Sequence, residues 1–239
     1  MMTRRMMMQI QQFRYGPDNL GYLVFSENTG VAVDGGAPAD MTGFARKHHI
    51  TIAYVTNTHL HHDHTSGNAQ LLEKTGAAFL DCREFAADQQ IQLGNASLKI
   101  LLTPGHTSDA VCFAADGFLV TGDTLFNGTV GNCFSGDLEA FYYSLKKLTA
   151  FAGDTQIFAG HDYVTESLEI AEAIDPDNPD ISQYRKKYDP ALVVSTLKDE
   201  LLVNPFLRFN APAIIKKLEQ RNFPCHTEKQ RFMSMMEAF

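Results

Sequence analysis

Thr58-His59-Leu60-His61-His62-Asp63-His64 is the stretch on which the interpretation of this 239-residue chain depends. It directly follows a β-rich run at residues 50–56, so it begins where a predicted strand ends. Histidine imidazoles suit zinc, and a carboxylate among them adds charge neutralisation. A polar surface loop is the alternative interpretation, but such a dense group of imidazoles favours a metal site. The ligand-type side chains are those of His59, His61, Asp63 and His64.

Three more ligand-type residues follow predicted strands further along the chain. His106, Asp123 and His161 each come after a β-rich run, and each is directly preceded by glycine. Taken singly, each has a structural explanation, such as a capping aspartate or a hydrogen-bonded core histidine. Four strand ends that offer ligands toward one edge of a sheet instead predict a common metal site.

The elements around these strand ends predict an α/β protein with a helical tail. Strands are predicted at residues 8–15, 22–26, 30–36, 50–56, 78–81, 97–103, 111–114, 118–121 and 156–159, and those at 78–81 and 97–103 are expected to be buried. Helices are predicted at residues 40–49, 67–75 (with Ser66 as N-cap) and 137–151, and in the tail at 165–174, 181–188, 194–203 and 211–220. The chain changes there from alternating strands and helices to helices alone. This change predicts an α/β domain at residues 1–164 and a small helical domain at residues 165–239.

Charge and composition argue against several functional classes. The formal net charge of −8 gives no sign of the basic surface that nucleic acid or an anionic membrane requires. No stretch approaches the roughly 20 apolar residues of a membrane span, and the apolar run in Met1–Met8 is too short for a secretory signal. The four cysteines lack C-x-x-C spacing and are interpreted as reduced thiols. We expect a cytoplasmic protein that binds neither nucleic acid nor a membrane. The sequence does not indicate the oligomeric state.

Four motifs resemble those of the metallo-β-lactamase superfamily. They are His59-x-His61-x-Asp63-His64, Pro104-Gly105-His106-Thr107, Thr121-Gly122-Asp123-Thr124-Leu125-Phe126 and Gly160-His161-Asp162-Tyr163. The chain is most similar to the glyoxalase II branch, the hydroxyacylglutathione hydrolases, because its tail carries two further signatures. These are Asp175-Pro176-Asp177-Asn178-Pro179 and the run from Ser195-Thr196-Leu197 through Glu200 to Asn204-Pro205-Phe206-Leu207-Arg208. The resemblance covers nearly the whole chain and implies an αββα sandwich followed by a small C-terminal helical domain.

The resemblance also implies a dinuclear metal site. One divalent metal would be held by His59, His61 and His106, and the other by Asp63, His64 and His161. Asp123 would bridge the two, together with a water or hydroxide, whereas His62 falls at a variable position and is not expected to be a ligand. Zinc is the metal expected first, with Fe and Mn as alternatives that the same ligands accept.

The reaction that this site implies is hydrolysis of a small-molecule thioester. The bridging hydroxide would attack the thioester carbonyl, which makes Asp63 and Asp123 the catalytic carboxylates. A thiolate leaving group, with a pKa of about 8.5, departs without strong help from a general acid. No Ser-His-Asp or Cys-His arrangement is therefore required.

The residues expected to contact the substrate follow the family pattern only in part. Tyr163 matches a substrate-contact tyrosine, whereas Asn132 and Phe134 stand where the family has a cation and a tyrosine. At the basic positions of the family's tail, this chain offers Met236 and Phe239. Each lost charge-assisted hydrogen bond is worth about 1.5–3 kcal/mol, so the specificity for glutathione is left open. The Met- and Phe-rich tail is interpreted either as an apolar wall of the pocket or as a packed final helix.

Other activities of the same fold remain as alternatives. A persulfide dioxygenase would use a mononuclear iron site with two histidines and one aspartate, and a lactonase or another metallo-hydrolase would use the same ligands. The tail motif Asn204-Pro205-Phe206 argues against the dioxygenase. A non-catalytic binding module fits least well, because all seven ligand positions are filled.

Overall fold

The computed structural model describes residues 7–239, and two β-sheets form its centre. The expectation about the apolar run in Met1–Met8 therefore lies largely outside the described residues. The same holds for the first six residues of the predicted domain 1–164. The first sheet contains, in spatial order, β1 (Gln9–Tyr15), β2 (Asn19–Ser26), β3 (Thr29–Val33), β4 (Thr51–Thr56) and β5 (Ala78–Leu80). The second has the spatial order β11-β10-β9-β8-β7-β6 and consists of β6 (Gln90–Leu93), β7 (Ala96–Leu102), β8 (Val111–Ala115), β9 (Phe118–Gly122), β10 (Gln156–Ala159) and β11 (Ser195–Thr196).

Helices cover the outer faces of the sheets and form most of the tail. They are α1 (Pro38–Lys47), α2 (His62–Thr65), α3 (Asn68–Thr75), α4 (Leu138–Leu148), α5 (Val164–Ile174), α6 (Pro179–Lys187), α7 (Leu197–Val203), α8 (Pro212–Gln220) and α9 (Glu228–Ala238). The strand pairs β3–β4, β4–β5 and β9–β10 are parallel, and the others are antiparallel. Parallel pairing brings the ends of β3, β4, β9 and β10 to common edges, where the candidate ligands lie.

The layer order is helix, sheet, sheet, helix, as the resemblance implies. Successive side chains of β2 point to opposite faces of the sheet, so this strand contributes to the apolar cores on both faces. Tyr22 and Val24 belong to the core between the sheets, whereas Leu23 packs with Met41 and Leu71 of α1 and α3. On the far side, a third apolar cluster joins the second sheet to α4, α8 and α9. The predicted αββα sandwich with a C-terminal helical region is confirmed.

The C-terminal region shares its apolar contacts with the rest of the protein. Leu168 of α5 belongs to the core between the sheets, and Phe232 of α9 packs against Phe141 of α4 with ring centroids 6.0 Å apart. Strand β11 adds an edge to the second sheet. The final helix, α9, is thus packed against the rest of the protein, with Phe232 and Met235 fully buried. The division at residues 164 and 165 stays a prediction.

Several local predictions were wrong at element ends. Ser66 does not cap α3, because its hydroxyl donates to the carbonyl of Asp63 and Gly67 occupies the N-cap position. Strand β5 was predicted to be buried, but it is an edge strand on which Phe79 is 41% exposed. The predicted helix at residues 194–203 begins only at Leu197, since Thr196 forms a capping box with Asp199. Strand β6 was not predicted.

All four cysteines are free thiols, as expected. Among the described residues, no helix combines the length and the apolar character that crossing a membrane requires.

Candidate metal centre

The strand ends bring all seven predicted ligands together. His59, His61, Asp63 and His64 follow β4, and α2 begins within this stretch at His62. The other three arrive from the second sheet, after β7, β9 and β10. Among the described residues, the histidine and carboxylate groups close enough to hold a metal ion form three overlapping sets. These are His59, His61 and His106; His59, His64 and Asp123; and Asp63, His64 and His161.

The first group of ligand atoms consists of three imidazole nitrogens. His61 Nδ1 lies 2.9 Å from His59 Nε2 and 3.1 Å from His106 Nε2. Ligand atoms on a tetrahedral zinc with bonds of 2.0–2.1 Å are separated by about 3.3 Å. Both separations from His61 Nδ1 are therefore close to those that a shared cation requires, and all three nitrogens lie within 4.8 Å of one another.

The second group combines two imidazoles with a carboxylate. His64 Nε2 and His161 Nε2 are 3.2 Å apart, and Asp63 Oδ2 lies 3.5 Å and 3.3 Å from these atoms, respectively. The Asp63 side chain is 46% exposed, whereas those of His64 and His161 are buried. This group is therefore exposed to solvent on its Asp63 side.

Asp123 lies between the two groups. Its Oδ2 is 3.5 Å from His106 Nε2 of the first group and 3.5 Å from His161 Nε2 of the second. Its Oδ1 is 3.4 Å from His64 Nε2, and it is buried without a hydrogen-bond partner. A buried carboxylate oxygen without a donor is costly unless a cation compensates it, so the position fits a bridging ligand.

Contacts on the outer side of the rings orient four of the histidines. His161 Nδ1 lies 3.0 Å from Asp18 Oδ1, and His106 Nδ1 lies 2.9 Å from the Asn132 carbonyl. Acceptors at these positions hold the proton on Nδ1, so that Nε2 is free to bind a metal. A similar contact joins His59 Nδ1 to Thr58 Oγ1 at 3.1 Å. His64 Nδ1 lies 3.1 Å from Asp34 Oδ2, an ion-pair distance without the alignment of a hydrogen bond.

Sequence reasoning missed Asp18 and Asp34 as functional residues. Asp34 is fully buried at the end of β3 and accepts hydrogen bonds from the backbone and hydroxyl of Thr58. The signal was present in Asp34-Gly35-Gly36, an aspartate at a strand end of the same kind as Asp123. Asp18 lies between the strands predicted at residues 8–15 and 22–26, and nothing local connects it to His161, which is 143 positions away.

The electrostatic surroundings are those of a cation site. Burial lowers the pKa of His59 to about 4, which keeps that imidazole neutral and able to bind a metal. Burial also acts to lower the pKa of His64, but the Asp34 and Asp123 carboxylates outweigh it and raise the pKa to about 11. Burial acts to raise the pKa of Asp123, but the nearby His161 and His64 imidazoles outweigh it and lower the pKa. The anionic ligands therefore stabilise positive charge at the centre.

The three residues predicted to contact substrate border these groups. The Phe134 ring is 67% exposed, with its centroid 5.2 Å from that of His106 and 5.8 Å from that of His61. Asn132 contributes the carbonyl that contacts His106, and Tyr163 stacks on His161 with centroids 4.9 Å apart and planes at 5°. All three thus lie beside candidate ligands, and their contact with a substrate stays a prediction.

Gly160 gives a prediction about the centre itself. A Cβ at this position would lie 2.2 Å from Asp123 Oδ1 and 2.9 Å from His64 Cε1. Gly160→Ala should therefore displace Asp123 and weaken divalent-metal binding by on the order of 10-fold or more, measured by competition with a chromophoric chelator. Gly153→Ala is the control, because its Cβ would lie 3.5 Å from Lys198 Cβ, an ordinary contact. Unchanged metal affinity in Gly160→Ala would contradict a bridging position for Asp123.

Comparison with known proteins assigns the family. Residues 19–80 match the metallo-beta-lactamase superfamily model, and residues 162–237 match the model described as hydroxyacylglutathione hydrolase C-terminus. The chain is 32% identical over 230 residues to the hydroxyacylglutathione hydrolase of Pseudoalteromonas translucida, covering 89% of this chain and 90% of that protein. The chain belongs to the hydroxyacylglutathione hydrolase family. A family member from Arabidopsis thaliana, named as cytoplasmic, is 34% identical, covering 84% of this chain and 88% of the relative.

Solved structures agree on the fold. ETHE1 from Myxococcus xanthus superposes with a TM-score of 0.69 at 20% identity, over 96% of this hydroxyacylglutathione hydrolase family member and 90% of that chain. The protein TTHA1623, solved in a di-iron-bound form, superposes with a TM-score of 0.61 at 22% identity, over 82% of this chain and all of that one. The metallo-β-lactamase fold and the histidine and aspartate groups together imply that the protein binds divalent metal.

Proposed function

We propose that the protein is a dinuclear metal-dependent hydrolase of hydroxyacyl thioesters, with hydroxyacylglutathione as the first candidate substrate. The position of Asp123 carries the proposal, because its carboxylate lies within 3.5 Å of nitrogens from both ligand groups. Membership of the hydroxyacylglutathione hydrolase family supports the reaction class. We propose zinc as the resident metal, since the group of His59, His61 and His106 consists of three imidazole nitrogens. Iron and manganese are the alternatives.

The proposed ligand assignment follows the two groups. His59, His61 and His106 would hold one cation, Asp63, His64 and His161 the other, and Asp123 both. Bound divalent cations supply a water nucleophile at neutral pH and positive charge for the carbonyl oxygen. The protein's own part is to orient the imidazoles, which the contacts of Asp18 with His161 and of the Asn132 carbonyl with His106 support. The carboxylates of Asp63 and Asp123 offset part of the metal charge.

The test uses protein of measured metal content with S-D-lactoylglutathione and with the neutral thioester S-D-lactoyl-N-acetylcysteamine. We expect the protein to bind two equivalents of metal and to hydrolyse both thioesters. Two bound metals without hydrolysis of either substrate would reject the thioester reaction. One bound iron, with oxygen uptake in the presence of a persulfide, would replace the proposal with a dioxygenase.

The same assay tests specificity. An uncharged, exposed Phe134 beside the ligand rings offers no partner for a carboxylate, so we expect a modest preference for the glutathione thioester, at most about 10-fold in kcat/KM. Phe134→Lys should raise kcat/KM for S-D-lactoylglutathione by about 10-fold through KM and leave the neutral thioester unchanged. A wild-type preference above about 100-fold would contradict this expectation and require a cation elsewhere at the site.

We propose that the substrate is a small molecule, that nucleic acid and membranes are not partners, and that the protein acts in the cytoplasm, as the name of the Arabidopsis relative states for that protein. We also propose residues 1–164 as the catalytic unit and residues 165–239 as the helical unit. Tyr163, Asn132 and Phe134 are proposed as substrate contacts.

A further inference from the structure

The carboxylate of Asp162 joins three distant parts of the chain. Its Oδ2 accepts hydrogen bonds from Arg14 Nη2 of β1 at 2.5 Å and from the hydroxyl of Tyr188, which follows α6, at 2.8 Å. The Asp162 side chain is only 7% exposed, and its Oδ1 is buried without a hydrogen-bond partner. A nearly buried charge of this kind is stable only while its partners remain in place.

Asp162 stands directly between a candidate ligand and a candidate substrate contact. Its backbone N–H donates to the Asp18 carbonyl at 2.9 Å, and Asp18 Oδ1 in turn lies 3.0 Å from His161 Nδ1. The Tyr163 ring on its other side stacks on the His161 ring. The backbone at Asp162 is therefore held by the same residue, Asp18, that contacts the His161 ring.

The segment between α6 and β11, residues 188–194, is fastened to β1 at two further points. Arg14 Nη2 donates to the Pro190 carbonyl at 3.0 Å. The Gln12 side-chain amide pairs with the backbone of Val193, donating to its carbonyl at 2.8 Å and accepting from its N–H at 2.9 Å. The position of Tyr188 is thus fixed relative to β1, which lets its hydroxyl hold Asp162.

We infer that Arg14, Asp162 and Tyr188 are positioning residues for the ligand group of Asp63, His64 and His161. Through them, the segment after α6 would stabilise metal binding at that group, although none of the three contacts a metal. The inference rests on the proposed dinuclear site and adds residues that act on only one half of it. Removing hydrogen-bonded groups that orient a metal ligand typically weakens metal affinity by about 10- to 100-fold.

Titration of metal-free protein with Zn²⁺ against a chromophoric chelator tests the inference without an activity assay. A His161→Ala variant identifies which equivalent belongs to the group containing His161. In Asp162→Asn and Arg14→Ala, that equivalent should bind about 10- to 100-fold more weakly, while the other keeps its affinity. Tyr188→Phe removes a single hydroxyl, so it should fold normally and show a smaller loss in the same equivalent.

A matched control separates this effect from the general loss of a surface ion pair. Arg185→Ala removes a pair of 2.9 Å between α6 and Glu172 of α5, and both equivalents should bind as in the wild type. Equal weakening of both equivalents in the three test variants, or no weakening, would overturn the inference. A wild-type protein that binds two metals but cleaves no thioester would overturn the proposed function alone, since the titration still decides the inference. A wild type that binds a single metal would overturn both.

Discussion

Replacing Asp123 with alanine is expected to lower kcat/KM for thioester hydrolysis by at least about 10³-fold, which corresponds to about 4 kcal/mol of transition-state stabilisation. The reason is the location of one carboxylate between two ligand groups, 3.5 Å from His106 Nε2 and 3.5 Å from His161 Nε2. Without it, two cations would lose a shared anionic ligand and repel each other across a buried space.

The measurement combines steady-state kinetics with metal analysis of the same preparation. Asp123→Ala should retain fewer than two equivalents of metal and keep its circular dichroism spectrum. Asp177→Ala is the control, because this aspartate is exposed in the joint between α5 and α6. Retention of two metals together with activity within 10-fold of the wild type would refute the bridging role.

Replacing Glu200 with alanine is expected to lower the free energy of unfolding by about 3–5 kcal/mol. Glu200 is fully buried in α7, yet its carboxylate accepts hydrogen bonds from Tyr184 at 2.7 Å and Ser195 at 2.6 Å. It also accepts from the backbone N–H of Gly128 at 2.8 Å and from Asn204 at 3.3 Å. Alanine would leave these buried donors unpaired and open a cavity.

Urea denaturation of metal-free protein measures this loss without a contribution from bound metal. Glu200→Gln keeps one acceptor but directs an amide N–H₂ toward donors, so it should cost about 1–3 kcal/mol. The exposed Glu169 of α5 provides the control, and Glu169→Ala should remain within about 0.5 kcal/mol of the wild type. A Glu200→Ala variant within 1 kcal/mol of the wild type would mean that the loop at Gly128 is held by other contacts.

These two residues differ in how visible their roles are in the sequence. Asp123 could be singled out because it follows a β-rich run and a glycine, as His106 and His161 do. Glu200 was noticed only as part of a tail signature, and its charge gives no hint of full burial. Its role depends on donors from three separate segments, which local patterns do not bring together.

The sequence by itself predicted the seven candidate ligands, the strands that carry them and the layered fold. Alternation in strands such as β2 and the residues that follow them depend on local backbone geometry, so they can be read from neighbouring residues. The metallo-β-lactamase-like motifs then implied the αββα order that the two sheets adopt.

Only the tertiary structure decided which groups orient those ligands and what holds them. Asp18 meets His161, and Asp34 meets His64, because β2 begins and β3 ends on the side of the sheets where β4 and β10 also end. Arg14 reaches Asp162 across 148 positions of the chain. Such contacts form when sheets and helices pack around a common core, and the energy of that packing is not encoded in any short stretch of residues.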